Sequence, residues 1–137
     1  MTPLPCEVLL PGAGVKARGF ALTAPISFWG GVDPKTGTVA DLRHPEHGTN
    51  IAGLALMIPA TVGSCSGAAI LLELVHAGRA PAAVILHEPD AILLLGLIVA
   101  KEMGWQTPIA LRLDRNQFAA LHGQPLEIDE AGLVRSA

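Results

Sequence analysis

Three short runs dominated by apolar residues, 54–58, 82–87 and 108–113, are spaced by two segments of helix length, and this alternation leaves few folds open. Strands without a polar face are the kind that parallel sheets bury on both sides. Gly53 to Pro59 is therefore expected to be a buried strand, followed by a helix from Ser64 to His76 with Gly78 at its C-terminal end. Ala82 to His87 is expected to be the next strand. Asp90 then caps a helix from Ala91 to Met103, closed by Gly104. That helix is apolar nearly all round, which predicts burial on several sides. Pro108 to Leu113 is the third strand, and Asp114 caps a short helix from Arg115 to Leu121. The tail, 126–134, reads as a hairpin about Asp129-Glu-Ala-Gly132.

The first third has a different texture. Cys6 to Leu10 is a short strand closed by the loop Pro11-Gly12-Ala13-Gly14, which is too short and wrongly placed for dinucleotide binding. Phe20 to Ala24 is a second strand. Residues 25–50 lack periodicity and carry turn chemistry, with Asp33-Pro-Lys-Thr-Gly37 as the plainest case and Asp41 as a further turn residue. So long an irregular stretch suits a functional or interface loop. These readings add to one α/β domain over 1–137, with a mixed or barrel-like sheet flanked by helices.

Of the 137 residues, 50% are hydrophobic and 15% charged, so disorder is excluded. A mean hydropathy of +0.46 leaves apolar surface for a partner chain to cover. The net charge of −3 and the lack of a basic cluster argue against nucleic acid. Cys6 and Cys65 fit no metal-ligand spacing and suit reduced thiols. The N-terminal residues lack a signal-peptide pattern, and the longest apolar stretch, 91–100, is about half the roughly 20 residues that cross a bilayer. A cytoplasmic protein is the expectation.

The residues with chemical potential cluster at Gly63-Ser64-Cys65-Ser66-Gly67, where a strand turns into a helix. A helix N-terminus favours an anion or a serine oxyanion, and Gly63 lets the backbone turn sharply. Ser64 or Ser66 as a plain helix cap is the competing reading. Cys65 stands at the centre of a Gly-x-x-x-Gly turn, but no His–Asp pair is recognisable beside it for a cysteine hydrolase. His44 and His47 are spaced like a metal clip, yet Pro45 stops a helix face from presenting both. They read as loop histidines, His44 meeting a partner or the rim of a substrate site. Phe28-Trp29 reads as a packing anchor, with Trp29 available to an interface. His87-Glu88 ends a strand where α/β ligand sites open.

Four motifs in one order resemble a known family. They are Ile26-Ser-Phe-Trp-Gly-Gly-Val-Asp-Pro-x-Thr-Gly37, Asp41-x-x-His44-Pro-x-x-Gly48, Gly63-Ser64-x-x-Gly67 and His87-Glu-Pro-Asp90-x-Ile-x-x-x-Gly96. Together they resemble the swivel domain of the aconitase X family over residues 6–112. The resemblance implies the swivelling β/β/α domain of the aconitase superfamily. It also implies a small subunit, in a heterodimer or larger assembly, beside a large subunit that holds an iron or iron–sulfur centre. The family's activities are dehydrations, of cis-3-hydroxy-L-proline to a pyrroline-2-carboxylate or of mevalonate 5-phosphate. By the same resemblance Ser64 is the catalytic serine, acting as general base. Gly63, Cys65, Ser66 and Gly67 form the substrate-binding turn for a small carboxylate, and no metal ligand lies in this chain. Aconitase follows its serines with an arginine that grips substrate carboxylate. Here Cys65-Ser66-Gly67-Ala68 stands instead, which moves that contact to backbone N–H groups or to the large subunit. An Ala- and Leu-rich chain without Lys and Glu enrichment favours the hydroxyproline substrate. A non-catalytic module capping an apolar partner is the rival from another class.

Overall fold

The computed structural model describes residues 2–63 and 65–137. Among them, eight strands form one sheet: β1 Leu4–Pro5, β2 Glu7–Leu10, β3 Val15–Ala21, β4 Ala55–Ile58, β5 Ala83–Leu86, β6 Ile109–Arg112, β7 Pro125–Ile128 and β8 Leu133–Ser136. Their order is β1-β8-β7-β3-β4-β5-β6-β2. The four middle strands β3 to β6 are parallel, with Ala21 opposite Met57, Ile58 opposite Leu86 and Leu86 opposite Arg112. Antiparallel strands flank them on both sides. The outermost strands, β1 and β2, are separated in sequence only by Cys6, so the sheet curls until its two ends are one segment of chain. The Cys6 N–H donates to the Gly132 carbonyl at 3.0 Å, fixing that closure.

Side-chain alternation divides the core in two. Leu56, Ile58, Val84, Leu86 and Ala110 face the helices α2, Ser66–His76, and α3, Ala91–Glu102. Ala55, Met57, Ala83, Ile85, Ile109 and Leu111 face the inside of the curl, where they meet Leu126, Ile128 and Val134. Phe118 and Leu121 of α4, Phe118–Leu121, close that second core. Both faces of β4 and β5 are covered, which is why neither strand contains a polar residue.

Three expectations change. First, β3 starts at Val15 and ends at Ala21. Lys16 and Arg18 obscure it in the sequence because they occupy its exposed side. It stops early because both the N–H and the hydroxyl of Thr23 are taken by Glu46, at 2.6 and 2.8 Å. Second, α2 opens at Ser66 rather than Ser64, with Cys65 at the N-cap. Third, α3 is not buried on several sides. It packs Leu93, Leu94, Gly96, Leu97 and Ala100 inward and leaves Ile92, Leu95, Ile98, Val99 and Met103 exposed. No element among the described residues lies beyond α3 on that side, so the outer stripe stays bare.

The helices α2 and α3 cross at small residues. A Cβ built at Gly96 would run into the Ala68 carbonyl, so any side chain there must push the helices apart. At Gly67, by contrast, a Cβ meets Phe28 at 3.5 Å and Leu93 at 3.7 Å, which is ordinary contact. Gly96→Ala should therefore lower the unfolding free energy by about 1–3 kcal/mol, the usual cost of overpacking. Gly67→Ala should hold it or raise it by up to about 1 kcal/mol, as helix propensity dictates. Urea unfolding of the two variants beside the parent chain measures both.

Candidate functional site

The parallel strands β3 to β6 all end at one edge of the sheet, and the loops that leave them there contain most of the residues singled out from sequence. Ligand sites of open α/β sheets form at this edge.

The junction after β4 is held by the irregular first-third loop. The Ile26 N–H donates to the Ala60 carbonyl at 3.1 Å, and the Val62 N–H donates to the Ile26 carbonyl at 3.0 Å. Thr61 thereby pairs with Ile26 as a parallel bridge. Gly63 follows with φ +105°, where a Cβ would stand 2.7 Å from the Ser27 hydroxyl oxygen. Both the dihedral and the contact require glycine. Ser27 donates its hydroxyl to the Trp29 carbonyl at 3.0 Å, which keeps this loop folded against the junction. Phe28 is buried and acts as the expected anchor, while Trp29 is 60% exposed.

Ser64, the residue on which the sequence reading centres, lies outside the described residues. Its neighbours are placed. Cys65 adopts helical dihedrals at the N-cap and supplies no side-chain hydrogen bond to α2. Its thiol is exposed. Ser66 begins the helix, and the Ala68 N–H returns to the Cys65 carbonyl at 3.2 Å. No hydrogen bond joins Cys65 to a histidine or a carboxylate among the described residues, so the cysteine-hydrolase reading lacks its base.

Asp90 does more than cap. Its Oδ1 accepts from the Ile92 and Leu93 N–H groups at 3.1 and 3.0 Å, as its place before α3 predicts. Its Oδ2 accepts the Thr61 hydroxyl at 2.6 Å, so one carboxylate ties the loop after β5 to the junction after β4. The Thr61 bond is not legible in sequence, because its two ends are far apart in the chain. Between these groups lies a cavity of about 80 Å³, lined by Phe28, Thr61, Gly63, Cys65, Asp90 and Ile92 among others. Ligand pockets usually run to roughly 300–1,000 Å³. This space is large enough for one small group only.

The histidine motif turns out to be structural. His44 is buried rather than set on a rim. Its Nδ1 accepts from the Glu46 N–H at 3.0 Å, which leaves Nε2 to donate to the Ala24 carbonyl at 3.2 Å. His44 and Glu46 thus pin the loop over the end of β3, and His47 stays on the surface. Asp33 and Asp41 accept from the N–H groups of Lys35 and Arg43 two residues on, as turn residues do. His87 is also a tie: its Nδ1 accepts from the Arg115 N–H at 3.0 Å, and its carbonyl from Arg112 Nε at 3.1 Å. Among the described residues no three His, Cys, Asp or Glu side chains converge as metal ligands. No helix among them is long and apolar enough to cross a membrane.

Two outcomes follow from this geometry. Asp90→Ala removes a helix cap and the Thr61 bond together and should cost about 1–3 kcal/mol, read from the shift in the urea midpoint. The cysteines should differ in reactivity. Burial pushes the Cys6 thiol up to about 11, so almost no thiolate forms there at neutral pH. Iodoacetamide at pH 8, followed by peptide mass spectrometry, should label exposed Cys65 and spare Cys6.

The wider likeness matches the geometry. The family model for the aconitase X swivel domain matches residues 4–135. Cis-3-hydroxy-L-proline dehydratase of Pseudomonas aeruginosa is 54% identical over 97 residues, covering 69% of this chain. The aligned part is 17% of that longer protein. The phosphomevalonate dehydratase small subunit of Methanothermobacter thermautotrophicus is 42% identical over 97 residues, covering 69% of this chain and 72% of that one. The crystal structure of Thermococcus kodakaraensis aconitase X in its holo-form superposes with a TM-score of 0.84 at 27% identity, over 100% of this chain and 99% of that one. With the family model matched over nearly the whole chain, the chain belongs to the aconitase X swivel domain family.

Proposed function

We propose that this chain is the swivel component of a hydro-lyase that dehydrates cis-3-hydroxy-L-proline, and that Ser64 is its general base. The observation that carries the reading is the junction itself. Gly63, a position whose dihedral and contact both require glycine, ends the turn after β4 at the strand edge, one residue before Ser64 in the sequence and three before α2 begins at Ser66. The identity of 54% to the Pseudomonas aeruginosa dehydratase supports the choice of substrate.

The chemistry asked of this chain is one proton transfer. Ser64 takes the proton from the carbon bearing the carboxylate, the hydroxyl on the neighbouring carbon leaves as hydroxide and takes up a proton to become water, Ser64 gives its proton back to solvent, and the double bond formed between the two carbons tautomerises to pyrroline-2-carboxylate. A serine hydroxyl is far too weak an acid to ionise unaided at pH 7. N–H groups at a helix start favour a nearby alkoxide, and Gly63, Cys65, Ser66 and Gly67 are its neighbours in the sequence. An iron or iron–sulfur centre on the large partner would act as a Lewis acid towards the leaving hydroxyl.

The need for a partner is supported by what this chain leaves open. The junction cavity, at about 80 Å³, has room for one group of a substrate and not for the whole of it. Around it stand exposed apolar side chains, Trp29, Val62 at 56% and Ile92 at 53%, and Ile92 begins the bare stripe of α3. A large subunit or domain seated there would cover that stripe and enclose the substrate together.

A second reading has its own support. The Methanothermobacter thermautotrophicus protein is a phosphomevalonate dehydratase small subunit, and this chain spans 72% of its length. Assay of the assembled enzyme with each compound decides between them, and turnover of cis-3-hydroxy-L-proline is the expected result. Ser64→Ala should then lower kcat by about 10²–10⁴-fold, the range for loss of a general base. Size-exclusion chromatography should show the complex unchanged. Undiminished turnover by the variant would remove Ser64 from the mechanism.

A further inference from the structure

A second, larger hollow lies at the same strand edge, on the other side of Pro59 from the junction. It has a volume of about 570 Å³, within the usual range for ligands. Its floor is apolar, from Leu22 and Phe118, and its polar lining comes from Thr23, Arg115, Asn116 and His122. Pro59 belongs to this hollow, and Thr61, two residues on, belongs to the junction cavity. The two spaces flank one stretch of backbone.

The charges in the hollow are unequal. Two arginines leave β6 together. Arg112 stands 3.9 Å from the Asp114 carboxylate and donates through Nε to the His87 carbonyl. Arg115 is held only by its backbone, through the N–H given to His87 Nδ1 at 3.0 Å. Its guanidinium makes no hydrogen bond or ion pair among the described residues. His122 is fixed by the Ala21 N–H, which donates to its Nδ1 at 3.0 Å, and by an edge contact with Phe20. That leaves Nε2 as a donor. No carboxylate is among the described residues that line the hollow. Of the acidic residues next to its lining, Glu46 has both oxygens engaged by Thr23, and Asp114 accepts the Asn116 N–H and faces Arg112.

An apolar floor under an unpaired guanidinium and an imidazole donor suits a small organic anion. We propose that this hollow is the oxyanion-binding wall of the site, with Arg115 gripping the substrate's carboxylate or phosphate and His122 donating beside it. Arginine offers two parallel N–H donors to such a group, which fixes direction as well as charge. The proposal rests on the dehydratase reading and deepens it. It supplies from this chain the clamp whose absence after Ser66 had moved the carboxylate contact to the backbone or the partner.

The test is steady-state kinetics of the assembled enzyme with Arg115→Gln and Arg115→Lys. Arg115→Gln should raise KM about tenfold or more and leave kcat within about threefold, the split expected for loss of uniform binding. Arg115→Lys should recover part of the loss, because charge returns without the fork. An unchanged KM in Arg115→Gln, with active parent enzyme, overturns the clamp and leaves the dehydratase reading standing. If the parent enzyme turns over neither compound, the dehydratase reading falls, and titration of the ¹⁵N-labelled full chain decides the hollow. Saturable shifts at the Arg115 side chain with L-proline alone identify a carboxylate site, and with inorganic phosphate alone a phosphate site. No saturable shift with either, or the same shifts at neighbouring amides in Arg115→Gln, overturns the proposal.

Discussion

Strands β4 and β5 are covered on both faces, and every residue from Ala55 to Ile58 and from Ala83 to Leu86 is at 0% exposure. Their backbone groups have no access to water and must all be paired within the sheet. The ladders with β3 and β6 meet this demand, and they are parallel. Parallel neighbours cannot be joined by a tight turn, so the chain returns through α2 and α3. Both helices consequently start at the same edge. The gathering of Ser27, Thr61, Gly63, Cys65 and Asp90 in one place follows from the solvation of two short strands, before any chemistry is considered.

The parts that sequence reveals are those governed by local rules. Apolar runs without a polar face mark β4, β5 and β6, Asp90 marks the start of α3, and Gly78 and Gly104 mark helix ends with positive φ. The parts it hides depend on partners distant in the chain. Lys16 and Arg18 disguise β3, whose identity comes from pairing with β7 on one side and β4 on the other. Leu4–Pro5 is too short to stand out, and only its ladder with β8 makes it a strand. His44 looks available in the sequence because its acceptor, the Ala24 carbonyl, is brought to it only by the folded loop. The turn that ends in Gly63 is legible as a junction, whereas the tie from Thr61 to Asp90 and, among the described residues, the unpaired guanidinium of Arg115 are not.

The same comparison explains why α3 was expected to be enclosed. A helix apolar all round has to lose its outer stripe to something, and among the described residues nothing lies beyond it. Ile92, Leu95, Val99 and Met103 fall on the outward side at spacings of three and four residues, so they form one continuous strip rather than scattered exposure. It begins at Ile92, which also lines the junction cavity. A chain that covered the strip would reach the mouth of the site without a gap.

The two helix starts at this edge are built differently. Asp90 closes the start of α3 with its own carboxylate, which satisfies two N–H groups and spends that end of the helix on stability. At α2 the N-cap is Cys65, whose side chain accepts from none of them, and no acidic residue stands in the first turn. The field at that helix start is not neutralised by a cap from Cys65, and a negative charge formed beside it is stabilised. Asp90 still reaches α2 indirectly, because its second oxygen holds Thr61 and so steadies the turn that leads to Gly63. One helix start is sealed to make the edge rigid, and the rigid edge holds the other in position. The serine base proposed above would gain from such rigidity, since donors that had to reorganise around an alkoxide would give back most of what they contribute.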